Sequence, residues 1–140
     1  LLFHKMGADV WICGPPTLIP WEFGKFGVKI TGSMDEAIAG ADVIMMLRIQ
    51  HERQNEAFIP STREYYNLFG LTREKMRLAK KDTIVMHPGP INRGVEIDSE
   101  VADADYSVIL NQVANGVATR MAVLYLLSGN AGMKIKKTSR

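Results

Sequence analysis

Two short runs combine side chains that can hold an anion with groups that can hold an amine. The first is Arg48-Ile49-Gln50, which follows five continuous apolar residues at 43–47. Side chains alternate along an extended chain, so Arg48 and Gln50 project to one side just past the buried segment. A guanidinium grips a carboxylate through two parallel hydrogen bonds, and a carboxamide can donate to the same anion while accepting from an amine. The competing reading pairs Arg48 with a local acid such as Glu52. The second run is His87-Pro88-Gly89-Pro90, which cuts off the apolar segment 83–86. Its two prolines lack an N–H, so the turn offers mainly carbonyls, suited to an amino or amide donor. His87 has the chemistry of a general base or anion donor, and equally that of a packed strand-end histidine.

Other apparent motifs carry less. Ser61-Thr62-Arg63 resembles part of a phosphate-binding sequence, but it follows Pro60 in an irregular stretch and is expected not to open a helix. No Walker A or G-x-G-x-x-G pattern is present, and the histidines at 4, 51 and 87 with Cys13 have no metal-ligand spacing. No cofactor or metal is therefore expected. A single cysteine excludes an internal disulfide and agrees with a reducing, cytoplasmic compartment. The formal charge is +2, but Lys134, Lys136, Lys137 and Arg140 crowd the last eight residues and leave 1–132 at −2. That balance gives no basic face for nucleic acid, and no apolar run is long enough to span a membrane. The 133–140 tail is read as solvated.

The 140 residues, 46% of them hydrophobic, fit one domain with a real core. Residues 1–7 read as the last turns of a helix stopped by Gly7, with no initiator Met, as in a piece of a longer protein. A strand at 9–13 ends at Gly14-Pro15-Pro16, residues 17–27 give no clear reading, and 28–31 suit a second strand. Ser33 and Glu36 have capping-box spacing for a short helix ending at Gly40. The runs 43–47 and 83–87 suit strands buried on both faces, with an irregular loop at 49–72 and a helix from Thr72 to about Lys80. The basic residues of that helix are read as a solvated face. Asp98 opens a short helix, 106–110 suits a last strand, and 111–128 is the longest helix. Strands alternating with helices imply an α/β chain with an open parallel sheet.

Taken together, M-L-R-I-Q-H-E-R at 46–53, Y-Y-N-L-F-G-L-T at 65–72, M-H-P-G-P-I-N-R-G-V-E-I at 86–97 and N-Q-V-A-N-G-V-A-T-R-M-A at 111–122 match a known order and spacing. Nearly the whole chain resembles the second half of bacterial aspartate carbamoyltransferase. The resemblance implies a Rossmann-like aspartate-binding domain over 1–132 that lacks its first strand. It also implies a carbamoyl phosphate-binding domain elsewhere in the parent, which would hold the main catalytic groups. The implied reaction is carbamoyl transfer from carbamoyl phosphate to the amino group of L-aspartate, in pyrimidine synthesis.

By that resemblance Arg48 binds an aspartate carboxylate with help from Gln50, and the carbonyls at Pro88 and Gly89 hold the attacking amine and the carbamoyl NH2. His87 begins this loop, and the Gly89–Pro90 bond is expected to be cis. Glu52 and Arg53 fall in a loop that closes the domains, and Arg120 is assigned to anchoring the domain interface. The parent is expected to be a homotrimer, with regulatory or dihydroorotase-like chains as possible partners. Ornithine carbamoyltransferase shares the fold, but its loop has H-C-L-P where Pro88 follows His87 here, and Arg48 would repel a cationic substrate. A noncatalytic binding or assembly fragment is the third reading.

Overall fold

Short apolar runs become strands here, and hydroxyl caps begin the helices between them. The computed structural model describes residues 2–49 and 61–128. In chain order the elements are α1 (Leu2–Lys5), β1 (Trp11–Cys13), a 3-10 helix (Trp21–Phe26), β2 (Lys29–Thr31), α2 (Met34–Ile38) and β3 (Val43–Met45). Then follow α3 (Thr62–Phe69), a second 3-10 helix (Lys75–Leu78), β4 (Ile84–Met86), α4 (Ser99–Ala102) and α5 (Ile109–Leu127). β1 pairs in parallel with β2, placing Ile12 opposite Ile30. β3 pairs in parallel with β4, placing Ile44 opposite Val85. Among the described residues the strands thus form two parallel pairs. The α/β class and the parallel pairing are as expected.

The main core joins Ile38, Ile44, Leu71, Val85, Ile97, Val101 and Ile109 beneath the β3–β4 pair. Burying each such side chain contributes roughly 1.5–3 kcal/mol. Tyr65 and Phe69, with ring centroids 5.5 Å apart, make a smaller cluster on α3. Ser33 caps α2 as its spacing requires, accepting the Glu36 N–H at 3.3 Å. The reciprocal half of the box is not made: the Glu36 carboxylate takes the Thr31 hydroxyl, and Thr31 Oγ1 accepts the Ser33 N–H at 3.0 Å.

Four expectations need correction. β3 is covered on one face only: Ile44 is 7% exposed, while Val43 and Met45 are 50% and 44% exposed. A continuous apolar run records affinity for burial, not which faces find cover. Within the stretch read as irregular, α3 is a regular helix, and Ser61 opens it by accepting the Glu64 N–H at 3.0 Å. The helix expected from Thr72 to Lys80 shrinks to a single 3-10 turn, although Thr72 Oγ1 does accept the Lys75 N–H at 3.3 Å. The strand expected at 106–110 is an isolated bridge, Val85 to Ser107, after which α5 starts at Ile109. The backbone there still pairs with β4, through Val85 N–H to Tyr106 and Val108 N–H to Val85, both at 2.9 Å.

The basic segment also divides. Arg73 and Lys80 make exposed pairs with Glu100 and Asp42. Lys75 instead turns inward, and its Nζ donates to the carbonyls of Asn67, Leu68 and Gly70 at 3.2, 3.1 and 2.9 Å. These are the orphan acceptors at the end of α3, where the helix dipole also favours a cation. Burial pulls the Lys75 pKa down from the usual lysine range, partly offset by surrounding acids. Replacing the ammonium in Lys75→Met should cost about 1–2 kcal/mol. The check is amide hydrogen exchange in the full-length parent, which should accelerate across 62–70 and leave α2 unchanged.

Candidate functional site

Parallel pairing delivers the carboxyl ends of β3 and β4 to the same edge, where ligands bind in open parallel sheets. The ladder continues one step beyond the strands, with Met46 N–H donating to the Met86 carbonyl at 2.9 Å. Two residues after Met46 comes Arg48, half-buried, and directly after Met86 comes His87. A second tie lies farther out: the Asn92 side-chain amide donates to the Ile49 carbonyl at 3.2 Å. The Arg48 segment and the loop after β4 are therefore held side by side. Gln50, Glu52 and Arg53 lie outside the described residues.

The 87–90 turn is fastened from within. His87 is fully buried, and its Nδ1 accepts the Gly89 N–H at 2.9 Å. That contact assigns the ring proton to Nε2, which faces Glu96 Oε1 at 3.3 Å. The His87 N–H donates to Gln112 Oε1 at 2.8 Å, so the first turns of α5 hold the start of the loop. Gly89 sits at φ +68°, and a Cβ there would approach Val113 Cγ2 to 3.2 Å, so both conformation and space favour glycine. The Gly89–Pro90 peptide is cis, as expected. Among the described residues no donor reaches the carbonyls of Pro88 or Gly89.

The consequence is a loop whose two N–H groups are taken, by Gln112 and by the His87 ring, while among the described residues the Pro88 and Gly89 carbonyls meet no donor. Such a surface accepts hydrogen bonds from an amine or amide. The His87 ring takes part by shaping this loop, since none of it is exposed. Burial pushes the His87 pKa below 6.5, and the neighbouring Glu96 carboxylate opposes that shift without reversing it. The imidazole is therefore neutral at neutral pH.

Arg120 lies exposed on α5, beside a concavity lined by Met86, Gln112, Asn115 and Thr119. Sequence reasoning overlooked Glu96, Asn92 and Gln112. Glu96 had a readable signal, as an acid flanked by Val95 and Ile97, and it is wholly buried. Its Oε1 accepts the Asn92 N–H at 2.5 Å. Among the described residues no group of three or more His, Cys, Asp or Glu could hold a metal ion, and no helix is long and apolar enough to cross a membrane.

Residues 1–127 match the family described as aspartate/ornithine carbamoyltransferase, Asp/Orn binding domain. The aspartate carbamoyltransferase catalytic subunit of Syntrophotalea carbinolica is 54% identical over 137 residues, which is 98% of this chain and 43% of that protein. The catalytic subunit of the same name from Syntrophus aciditrophicus is 58% identical over 126 residues, 90% of this chain and 41% of that protein. The chain thus spans about two-fifths of the length of these relatives. Among solved structures, ornithine carbamoyltransferase from Pyrococcus furiosus aligns with TM-score 0.71 at 26% identity, covering 87% of this chain and 42% of that one. The enzyme of that name from Gloeobacter violaceus aligns with TM-score 0.73 at 24% identity, covering 89% and 44%.

The lowered His87 pKa has a definite sign in stability. Just below pH 6.5 an unfolded chain binds a proton at this residue that the folded chain does not, so unfolding gains as pH falls. The contribution is fully present above 6.5 and is lost as pH drops towards the folded value. Calorimetric melting of the parent should show its midpoint falling in that window, and His87→Asn should flatten that part of the profile. An identical slope in the variant would assign the acid sensitivity to other groups.

Proposed function

The chain belongs to the aspartate/ornithine carbamoyltransferase family, and we propose that it is the aspartate-binding part of an aspartate carbamoyltransferase. The observation that carries aspartate over ornithine is the naming of relatives at 54% and 58% identity as aspartate carbamoyltransferase catalytic subunits. The solved ornithine enzymes share the fold at only 24% and 26% identity. Arg48 agrees with this choice, because a guanidinium at the strand edge suits a second carboxylate and repels an ammonium side chain.

In this reading the Arg48 guanidinium, assisted by Gln50, holds a carboxylate of L-aspartate. The open carbonyls of Pro88 and Gly89 accept from the α-amino group and from the carbamoyl NH2. Pro90 fixes the far end of that turn, and His87 shapes it from beneath. The amine lone pair attacks the carbonyl carbon of carbamoyl phosphate, a C–N bond forms, the C–O bond to phosphate breaks, and the amine loses a proton. Catalysis rests on positioning two anions, and orienting the aspartate is the contribution of this half. Carbamoyl phosphate itself, and the groups that polarise its carbonyl, are assigned to the rest of the parent.

The first strand implied for this domain would join the two parallel pairs into one sheet. Glu52, Arg53 and Arg120 serve closure of the two domains over substrate. The parent works as a cytoplasmic homotrimer with sites between subunits, and the 140-residue chain alone should show no turnover. The 133–140 tail takes no part in the chemistry.

The test is carbamoyl aspartate formation by the full-length parent, wild type against Arg48→Ala, across an aspartate titration. Losing a charge-assisted carboxylate contact should cost roughly 2–4 kcal/mol, or about 30- to 1,000-fold in kcat/KM for aspartate. Carbamoyl phosphate binding should be retained. An unchanged aspartate titration would mean that Arg48 is structural and would sink the assignment at its centre.

A further inference from the structure

Glu96 is an unusual residue to bury. It is 0% exposed, and it lies at ion-pair distance from the neutral His87. Desolvating a carboxylate is costly unless its oxygens are used. Here one oxygen takes one hydrogen bond and one close polar contact, and His87 Nε2 has no hydrogen-bond partner among the described residues. Oε1 accepts the Asn92 N–H at 2.5 Å and faces the Nε2–H of His87 at 3.3 Å. Each contact leads onward. Through His87 the path continues from Nδ1 to the Gly89 N–H at 2.9 Å, in the turn that presents the open carbonyls. Through Asn92 it continues from the side-chain amide to the Ile49 carbonyl at 3.2 Å, next to Arg48.

We propose that Glu96 is the positioning residue that sets the 88–89 carbonyls against the Arg48 strand end, acting through His87 on one side and Asn92 on the other. The proposal deepens the aspartate-site reading and rests on it. Glu96 touches no substrate. Its carboxylate selects the imidazole tautomer whose Nδ1 can accept, and it pins the Asn92 backbone so that the amide side chain reaches Ile49. Amine-binding and carboxylate-binding elements sit on different strands, so their separation must match the distance between the amine and carboxylate of one small substrate. A carboxylate hydrogen-bonded on one side of that gap and in close polar contact on the other fixes the separation.

The experiment uses the full-length parent, with steady-state titrations of aspartate, equilibrium binding of carbamoyl phosphate, and melting of each variant. Glu96→Ala should raise the KM for aspartate about 10- to 100-fold, the loss that an ångström-scale misplacement produces. Carbamoyl phosphate affinity should stay within about twofold, because that site is assigned elsewhere. Glu96→Gln keeps an Oε1 able to accept the Asn92 N–H and to face the His87 Nε2–H, and should return KM to within about fivefold of wild type. A folded Glu96→Ala enzyme with wild-type KM overturns the proposal, and so does a Glu96→Gln enzyme as impaired as Glu96→Ala. If Glu96→Ala does not fold, Asn92→Ala decides: it removes only the tie to Ile49 and must raise the aspartate KM, and an unchanged KM overturns the proposal. A wild-type parent that forms no carbamoyl aspartate refutes the functional reading instead, and the positioning role falls with it.

Discussion

Hydrogen bonds that lay β3 and β4 side by side in the same direction, with Ile44 against Val85, decide where the chemistry of this chain can lie. An antiparallel pair would carry the two strand ends to opposite edges, and Arg48 and His87 would never meet across one surface. A parallel pair needs a long crossover, and here residues 46–83 supply it, including α3. The register is held by burial, since Val85 is wholly enclosed and both its N–H and its carbonyl pair with the 106–108 backbone. A slip of one residue would turn Val85 to the open face and carry His87 out of the enclosed position from which it organises the turn.

Much of this was readable before any coordinates. The apolar runs at 43–47 and 83–87 located the strands, and the two residue groups that follow them located the edge. The capping logic was legible twice and read once. Ser33-x-x-Glu36 gave α2, whereas the identical spacing at Ser61-x-x-Glu64 was lost among neighbouring polar and aromatic residues. The 106–110 segment misled because β-branched and apolar residues suit a strand and the first turn of an apolar helix equally well. Its single bridge to Val85 shows how nearly the two tendencies balance.

What the sequence concealed depends on environments rather than on residue types. Exposure of Val43 and Met45 follows from which face of a sheet finds a cover, a property of the assembled layers. The role of Glu96 depends on desolvation, because in a primary sequence it is one acid among fifteen. His87 is the middle case. Its position beside two prolines drew attention to it, but only the contacts to Gly89 and Glu96 distinguish a ring that shapes the turn from one that meets a ligand.

Lys75 gives this half of the protein a chemical gauge of its own order. Acylating reagents attack a neutral amine through its lone pair. At Lys75 all three hydrogens of the ammonium point at carbonyls, and the group is partly enclosed at the end of α3. The nitrogen therefore becomes nucleophilic only when that helix end lets go. Its acylation rate, set beside that of exposed Lys25 or Lys29, measures how often α3 opens. Footprinting one amine thus follows the segment adjoining the candidate site without altering a residue within it.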